Sequence, residues 1–176
     1  MASELIVQTL KGPTSGANAN KILLGSGQEL YAPGHIIQIV NEIKTSEVTQ
    51  TTTGVWTDSG IFARITPSST SSKIFISCSP GVSVWNSSAA EANSKLRIQR
   101  TSPSAATIGA VKTNYHYDYG NSGVYTNVPV YIEALDSPAT TAEITYELQI
   151  KLDAGSAVGV NRDSTQSSIT LMEIAG

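Results

Sequence analysis

Ten residues in the C-terminal part of the chain restrict its fold more than any other feature. From Glu143 to Leu152, the apolar residues Ile144, Tyr146, Leu148, Ile150 and Leu152 alternate with Thr145, Glu147, Gln149 and Lys151. A repeat of two gathers the apolar side chains on one face of a strand, whereas a helix would scatter them around its axis. A strand with one dry and one wet face needs a second layer to cover it.

Weaker versions of the pattern recur, separated by clusters of Gly, Pro, Asn and Ser. His35 to Ile43 is a mostly apolar run, and Ile61 to Ile65 ends just before Pro67. Lys73 to Cys78 puts Ile74, Ile76 and Cys78 on one face. Val82 to Trp85, Lys95 to Gln99 (with Leu96 and Ile98 inward) and Ser168 to Ile174 complete the series. Only Ser88-Ala89-Ala90-Glu91 reads as helical, because it matches a capping box. Eight to ten short strands with almost no helix predict an all-β fold, a jelly-roll-like antiparallel sandwich over residues 35–176.

The composition agrees with strands and closes off several functions. The 176 residues suit one domain, and charged residues are 14% of them, against about 25% in an average soluble domain. Twenty-three Ser and nineteen Thr take their place, and Thr is favoured on a pleated surface. A net charge of −3 with scattered Arg and Lys offers no basic face for nucleic acid. The longest apolar stretch is far short of a membrane span. Met1-Ala2-Ser3-Glu4 does not open a secretory signal, and a single cysteine, Cys78, cannot form an internal disulfide. The expected place of synthesis is therefore a reducing cytoplasm.

Residues 1–34 read differently, as a short extended arm. Leu5, Ile6, Val7 and Leu10 make one apolar patch, with Leu5 to Leu10 able to form a short strand. Ile22, Leu23 and Leu24 make another. Gly, Pro, Ser and Asn between them prevent a self-contained core. These seven side chains are the candidate arm contacts.

Chemistry has few footholds. His35 and His116 are far apart and lie in no cluster with metal-ligand spacing, so no metal and no cofactor is expected. Cys78 reads as a small buried hydrophobe. There is no Gly-x-Ser-x-Gly elbow, and Gly25-Ser26-Gly27 lacks the Lys of a phosphate loop. Asp58-Ser59-Gly60 matches the triplet of an aspartic protease, but that chemistry needs a second carboxylate. The triplet reads instead as a turn before a strand, and a small hydrolase is a remote alternative. Tyr115, Tyr117 and Tyr119 share one face of a strand, with Tyr125 nearby. They form either a contact surface for a receptor or an aromatic ladder in the core.

Four blocks carry a family resemblance: Gly34 to Val40, Ile65 to Ile74, Leu135 to Thr141, and Asn161-Arg162 with Ser168 to Ala175. In order and spacing they resemble virion proteins of tailed bacteriophages, and Lys11 to Lys21 is similar to N-terminal segments of such proteins from marine phages. The resemblance implies a non-enzymatic β-sandwich on the virion surface, often a homotrimer and often a tail-fibre-like domain. A tail fibre carries a long shaft before such a domain, and only about 34 residues precede this one. A capsid decoration or cement protein is therefore expected, bound to the major capsid protein or another virion protein. A fibre tip recognising a host surface glycan or protein is the alternative.

Overall fold

The computed structural model describes residues 13–17, 32–118 and 123–176. The chain divides into two units, Met1–Ala32 and Pro33–Gly176. In the first, residues 13–17 form a bend in which Gly16 takes a φ of +88°. The candidate arm contacts Leu5, Ile6, Val7, Leu10, Ile22, Leu23 and Leu24 lie outside the described residues, as does the short strand expected from Leu5 to Leu10.

The second unit is all-β. Its strands are β1 (Ile36–Lys44), β2 (Val48–Gln50), β3 (Trp56–Ile65), β4 (Lys73–Ser79), β5 (Gly81–Asn86) and β6 (Glu91–Ser102). They continue with β7 (Ala106–Tyr117), β8 (Val124–Pro129), β9 (Ile132–Asp136), β10 (Ile144–Ala154), β11 (Ala157–Val160) and β12 (Ser167–Ile174). Three antiparallel sheets result. Sheet I has the order β1-β12-β4-β9, sheet II β3-β10-β6-β7 and sheet III β2-β11-β5-β8.

Setting sheet III aside, the other eight strands numbered along the chain run 1-8-3-6 in sheet I and 2-7-4-5 in sheet II. That is the order of a jelly roll, two interlocked Greek keys. Each strand of sheet III sits in one of four of the six connections that cross between the sheets, β1 to β3, β4 to β6, β7 to β9 and β10 to β12, whereas β3 to β4 and β9 to β10 cross without one. Among the described residues, twelve strands therefore stand where the sequence predicts eight to ten. Strands as short as Val48–Gln50 and Ala157–Val160 are below the length at which a repeat of two can be recognised.

The alternation of β10 does what its pattern dictates. Ile144, Tyr146, Leu148, Ile150 and Leu152 are fully buried. They meet Ile61, Ala63, Ile65, Leu96 and Ile98 of the same sheet, with Ile74, Ile76, Cys78, Ile132, Ile169 and Leu171 of sheet I, in one core. Val82, Val84, Val158 and Val160 extend that core into sheet III. Each such side chain contributes roughly 1.5–3 kcal/mol on burial.

Two local expectations are corrected. Ser88-Ala89-Ala90-Glu91 is not helical: three bends lead into β6, which begins at Glu91. The Asn86 side chain dictates this, accepting from the Ser88 amide (3.2 Å) and donating to the Glu91 carbonyl (2.8 Å). A side chain that bonds the local backbone in this way displaces a helical turn. Asp58-Ser59-Gly60 does not precede a strand but lies within β3, as a bulge. Phe62 pairs with Glu147 and Asp58 with Gln149, leaving three residues opposite Leu148. Gly60 takes a φ of +72°, its amide donates to Asp58 Oδ1 (2.8 Å), and buried Ser59 Oγ donates to the Leu148 carbonyl (2.6 Å). The Ser and Gly serve the bulge.

Candidate contact surfaces

Register decides which side chains face away from the core. On sheet II the outward set of β10 is Thr145, Glu147, Gln149, Lys151 and Asp153, and that of β6 includes Lys95, Arg97 and Gln99. These groups satisfy one another. Gln149 Oε1 accepts from Arg97 Nε and Nη2 (2.9 and 2.7 Å), and Gln149 Nε2 donates to Glu147 (2.7 Å). Asp153 pairs with both Lys95 and Lys151, and hydrogen bonds from Lys151 and Lys95 hold its carboxyl below the usual range. The Arg97 guanidinium lies 4.3 Å from the Trp56 ring centre and Lys151 5.4 Å, while Lys44 sits 4.5 Å over Phe62. This face is a solvated ionic lattice.

Sheet I is patterned the other way. Ile39, Met172, Phe75 and Leu135 are cross-strand neighbours in one row spanning all four strands. Ile36 and Ile174 form part of the row on one side. Asn41, Thr170, Ser77 and Glu133 form the row on the other, and Ile43 lies one row further, opposite Ser168. Ile36, Ile39, Ile43 and Leu135 are each at least half exposed. The inward side of the same sheet carries the buried acids. Glu173, fully buried, accepts from Gln38 Nε2 (2.6 Å), the Ser68 amide and hydroxyl (both 2.7 Å) and the Ser72 hydroxyl (2.7 Å). Burial raises its pKa, but bonds from Gln38, Ser72 and Ser68 outweigh that and hold the carboxyl below its usual range. Asp136 Oδ2 accepts from Arg100 Nη1 and Tyr146 Oη, both 2.7 Å, tying β9 to β6 and β10 across the sandwich. Burial, then Asp136, pushes the Tyr146 phenol up.

The tyrosines of the sequence reading are on the outside. Tyr115 and Tyr117 pair with Asn93 and Glu91 on the outer face of sheet II, 55% and 46% exposed. That resolves the two readings against a core ladder at these positions, while Tyr119 lies outside the described residues. Tyr125, half exposed, belongs to sheet III and is not on the same strand. It pairs with Trp85, and its hydroxyl donates to Asp163 Oδ2 (2.7 Å), to which Asn127 also donates (3.3 Å). Arg162 stacks 4.4 Å from the Trp85 ring centre. Asn161, Asp163 and Ser164 take left-handed backbone conformations in this connection; sequence offered no signal for that beyond a tolerant Asn-x-Asp pair. A pocket of about 240 Å³ beside it is lined by Ser79, Gly81, Asn127, Pro129, Thr165 and Gln166, smaller than the roughly 300–1,000 Å³ of ordinary small-molecule sites.

Cys78 is buried, and burial pushes its thiol up to about 12, which removes thiolate reactivity. Among the described residues no three His, Cys, Asp or Glu side chains converge as metal ligands, and no helix is long and apolar enough to cross a membrane.

No protein-family model matches the chain, and no curated protein matches it in sequence. Among solved structures, the infectious bursal disease virus VP2 subviral particle is similar, with a TM-score of 0.33 and 12% identity. The match covers 93% of this chain and 46% of that one.

Proposed function

We propose that the chain is a non-enzymatic structural component of a bacteriophage virion, a capsid decoration or cement protein assembling as a trimer on the head surface. The observation that carries this reading is the outer face of sheet I. A sheet face that keeps isoleucines and a leucine at least half exposed marks a protein contact. Ligand chemistry would instead call for a concave site with convergent polar groups. The resemblance to tailed-phage virion proteins supplies the setting, and the major capsid protein or another virion protein is the proposed partner.

Counting copies in purified virions by quantitative mass spectrometry tests it. Hundreds of copies per particle support decoration. A few tens point to a fibre or other tail component, and none removes the virion role.

A second reading has its own observation. Tyr115 and Tyr117 stand exposed near the C-terminal end of β7, as in a module that recognises a host surface glycan or protein. Replacing both with Ala should abolish cell-surface binding if that reading holds, and leave virion incorporation unchanged if decoration does.

A further inference from the structure

We propose that the connection from β11 to β12, residues 162–166, is a hinged flap over sheet III, latched shut by the Asp163 carboxylate. The flap is independent of the virion reading above, and either can fail alone.

The first observation is where the connection is fixed. Asn161 and Ser167, at its two ends, are buried. Ser167 Oγ donates to Asn161 Oδ1, and Asn161 Nδ2 donates to the Ser46 carbonyl (3.0 Å). The Asn161 amide donates to the Gly81 carbonyl (3.1 Å), and the Gly81 amide donates to Ser167 Oγ (3.2 Å). Between these anchors no residue from 162 to 166 is buried. A segment with no buried side chain opens at a lower cost than the sheets around it.

The second is that the segment is closed on itself. The Arg162 carbonyl accepts from both the Thr165 amide (3.2 Å) and the Thr165 hydroxyl (2.8 Å), which makes a tight turn. Inside it Asp163 and Ser164 hold φ of +56° and +61°. Left-handed backbone at residues carrying a Cβ persists where the surroundings enforce it. A turn bonded internally and anchored only at its ends swings as one body.

The third is how the turn is held to the strands beneath. Ser83 and Trp85 of β5, with their partners Asn127 and Tyr125 of β8, make one face of sheet III. Asp163 Oδ2 accepts from Tyr125 Oη (2.7 Å) and Asn127 Nδ2 (3.3 Å) on that face. Arg162 covers the Trp85 ring and lies 3.9 Å from Glu47, a partly exposed pair that adds little. Thr165 rests over Gly81, where a Cβ would come within 2.8 Å of its hydroxyl. The bonds to a carboxylate are the strongest of these ties. Thr165 and Gln166 also wall the pocket that Asn127 and Pro129 line from the other side. Opening the flap therefore widens that pocket and uncovers Trp85, exchanging a charged cap for an aromatic surface.

The test uses the full chain carrying Trp56→Phe, which leaves Trp85 as its one tryptophan. It reads acrylamide quenching of Trp85 fluorescence and the rate of trypsin cleavage after Arg162, which follows the population of the open form. Tyr125→Phe with Asn127→Ala removes both donors and leaves the cleaved bond as it was. Cleavage after Arg162 should rise about tenfold or more, quenching should rise with it, and circular dichroism should stay unchanged. Asp163→Ala, which alters the residue beside the cleaved bond, is read by quenching alone and should match. Unchanged quenching in both variants, with unchanged cleavage in the first, would overturn the latch. Cleavage that accelerates equally at Lys and Arg elsewhere in the sandwich would overturn the hinge, because the opening would then spread past Asn161 and Ser167. A parent whose Trp85 is quenched as fully as in the urea-unfolded chain would overturn the closed flap itself.

Discussion

Sheets I and II enclose the same core, yet they distribute polarity in opposite senses. Sheet II keeps aliphatic side chains inward and an ionic lattice outward. Sheet I turns Glu173 and Asp136 inward, on either side of Ile74, and turns Ile39, Met172, Phe75 and Leu135 outward. The difference teaches that inward acids are tolerable when protein donors meet them, and that an outward apolar row is the feature a contact beyond the subunit would use. An alternation read as core and solvent describes a sheet whose outer face meets water. It misleads for a sheet whose outer face meets protein.

Breaking the inversion from inside should give the largest effect. Asp136→Ala removes the acceptor for both Arg100 and Tyr146, whose groups then stay buried without it. The expected loss is about 3–5 kcal/mol in denaturant unfolding, and Tyr146→Phe, which deletes one donor only, should cost about 1 kcal/mol.

Glu173→Gln comes next, at about 2 kcal/mol, because an amide nitrogen replaces an oxygen that accepted hydrogen bonds. The pH dependence sharpens it. The folded carboxyl titrates below its unfolded value of about 4.3, so its stabilisation is complete above that pH. It is lost as pH falls from about 4 through the folded pKa. The parent should show this acid slope in melting temperature, and the variant should show less of it.

The outer faces should respond more weakly and in opposite ways. Trp56→Ala removes the ring under Arg97 and Lys151 and should lower stability by about 1 kcal/mol, with no change in oligomeric mass. Ile39→Ser, measured at a concentration where the chain is monomeric, should change stability by less than about 0.5 kcal/mol while weakening association. Equal effects of these two variants on mass would erase the contrast between the faces.

The same contrast explains what could be read from residues alone. The strand over Glu143–Leu152 and the all-β class follow from local alternation, because solvent and core alone set which side of that strand is apolar; the burial of Ile74, Ile76 and Cys78 was legible as well, although Phe75 on the same strand faces outward. His35 to Ile43 was legible as an apolar run but not as an edge strand with its isoleucines outward, since a run without alternation carries no facing. Of sheet III only Val82 to Trp85 was legible, because the other strands gain order from pairing with one another. The bulge at Gly60 was hidden because it is defined by the partner strand β10. Tyr115 and Tyr117 alternate correctly, but alternation alone leaves inside and outside undetermined.

One pairing sets a clock on biogenesis. Among the described residues β1 has a single neighbour in its sheet, β12, and the contact between Asn41 and Thr170 spans 129 residues. The ribosome adds about 5–20 residues per second, so β1 waits on the order of ten seconds for the strand that completes it. During that interval β4 also lacks one of its two partners, and the edge that will receive β12 lies open beside aliphatic side chains. Folding of sheet I is therefore held until the final strand emerges. A nascent chain stalled before Ser167 should be open to protease in sheet I, whatever local order the hairpin of β6 and β7 has reached by then.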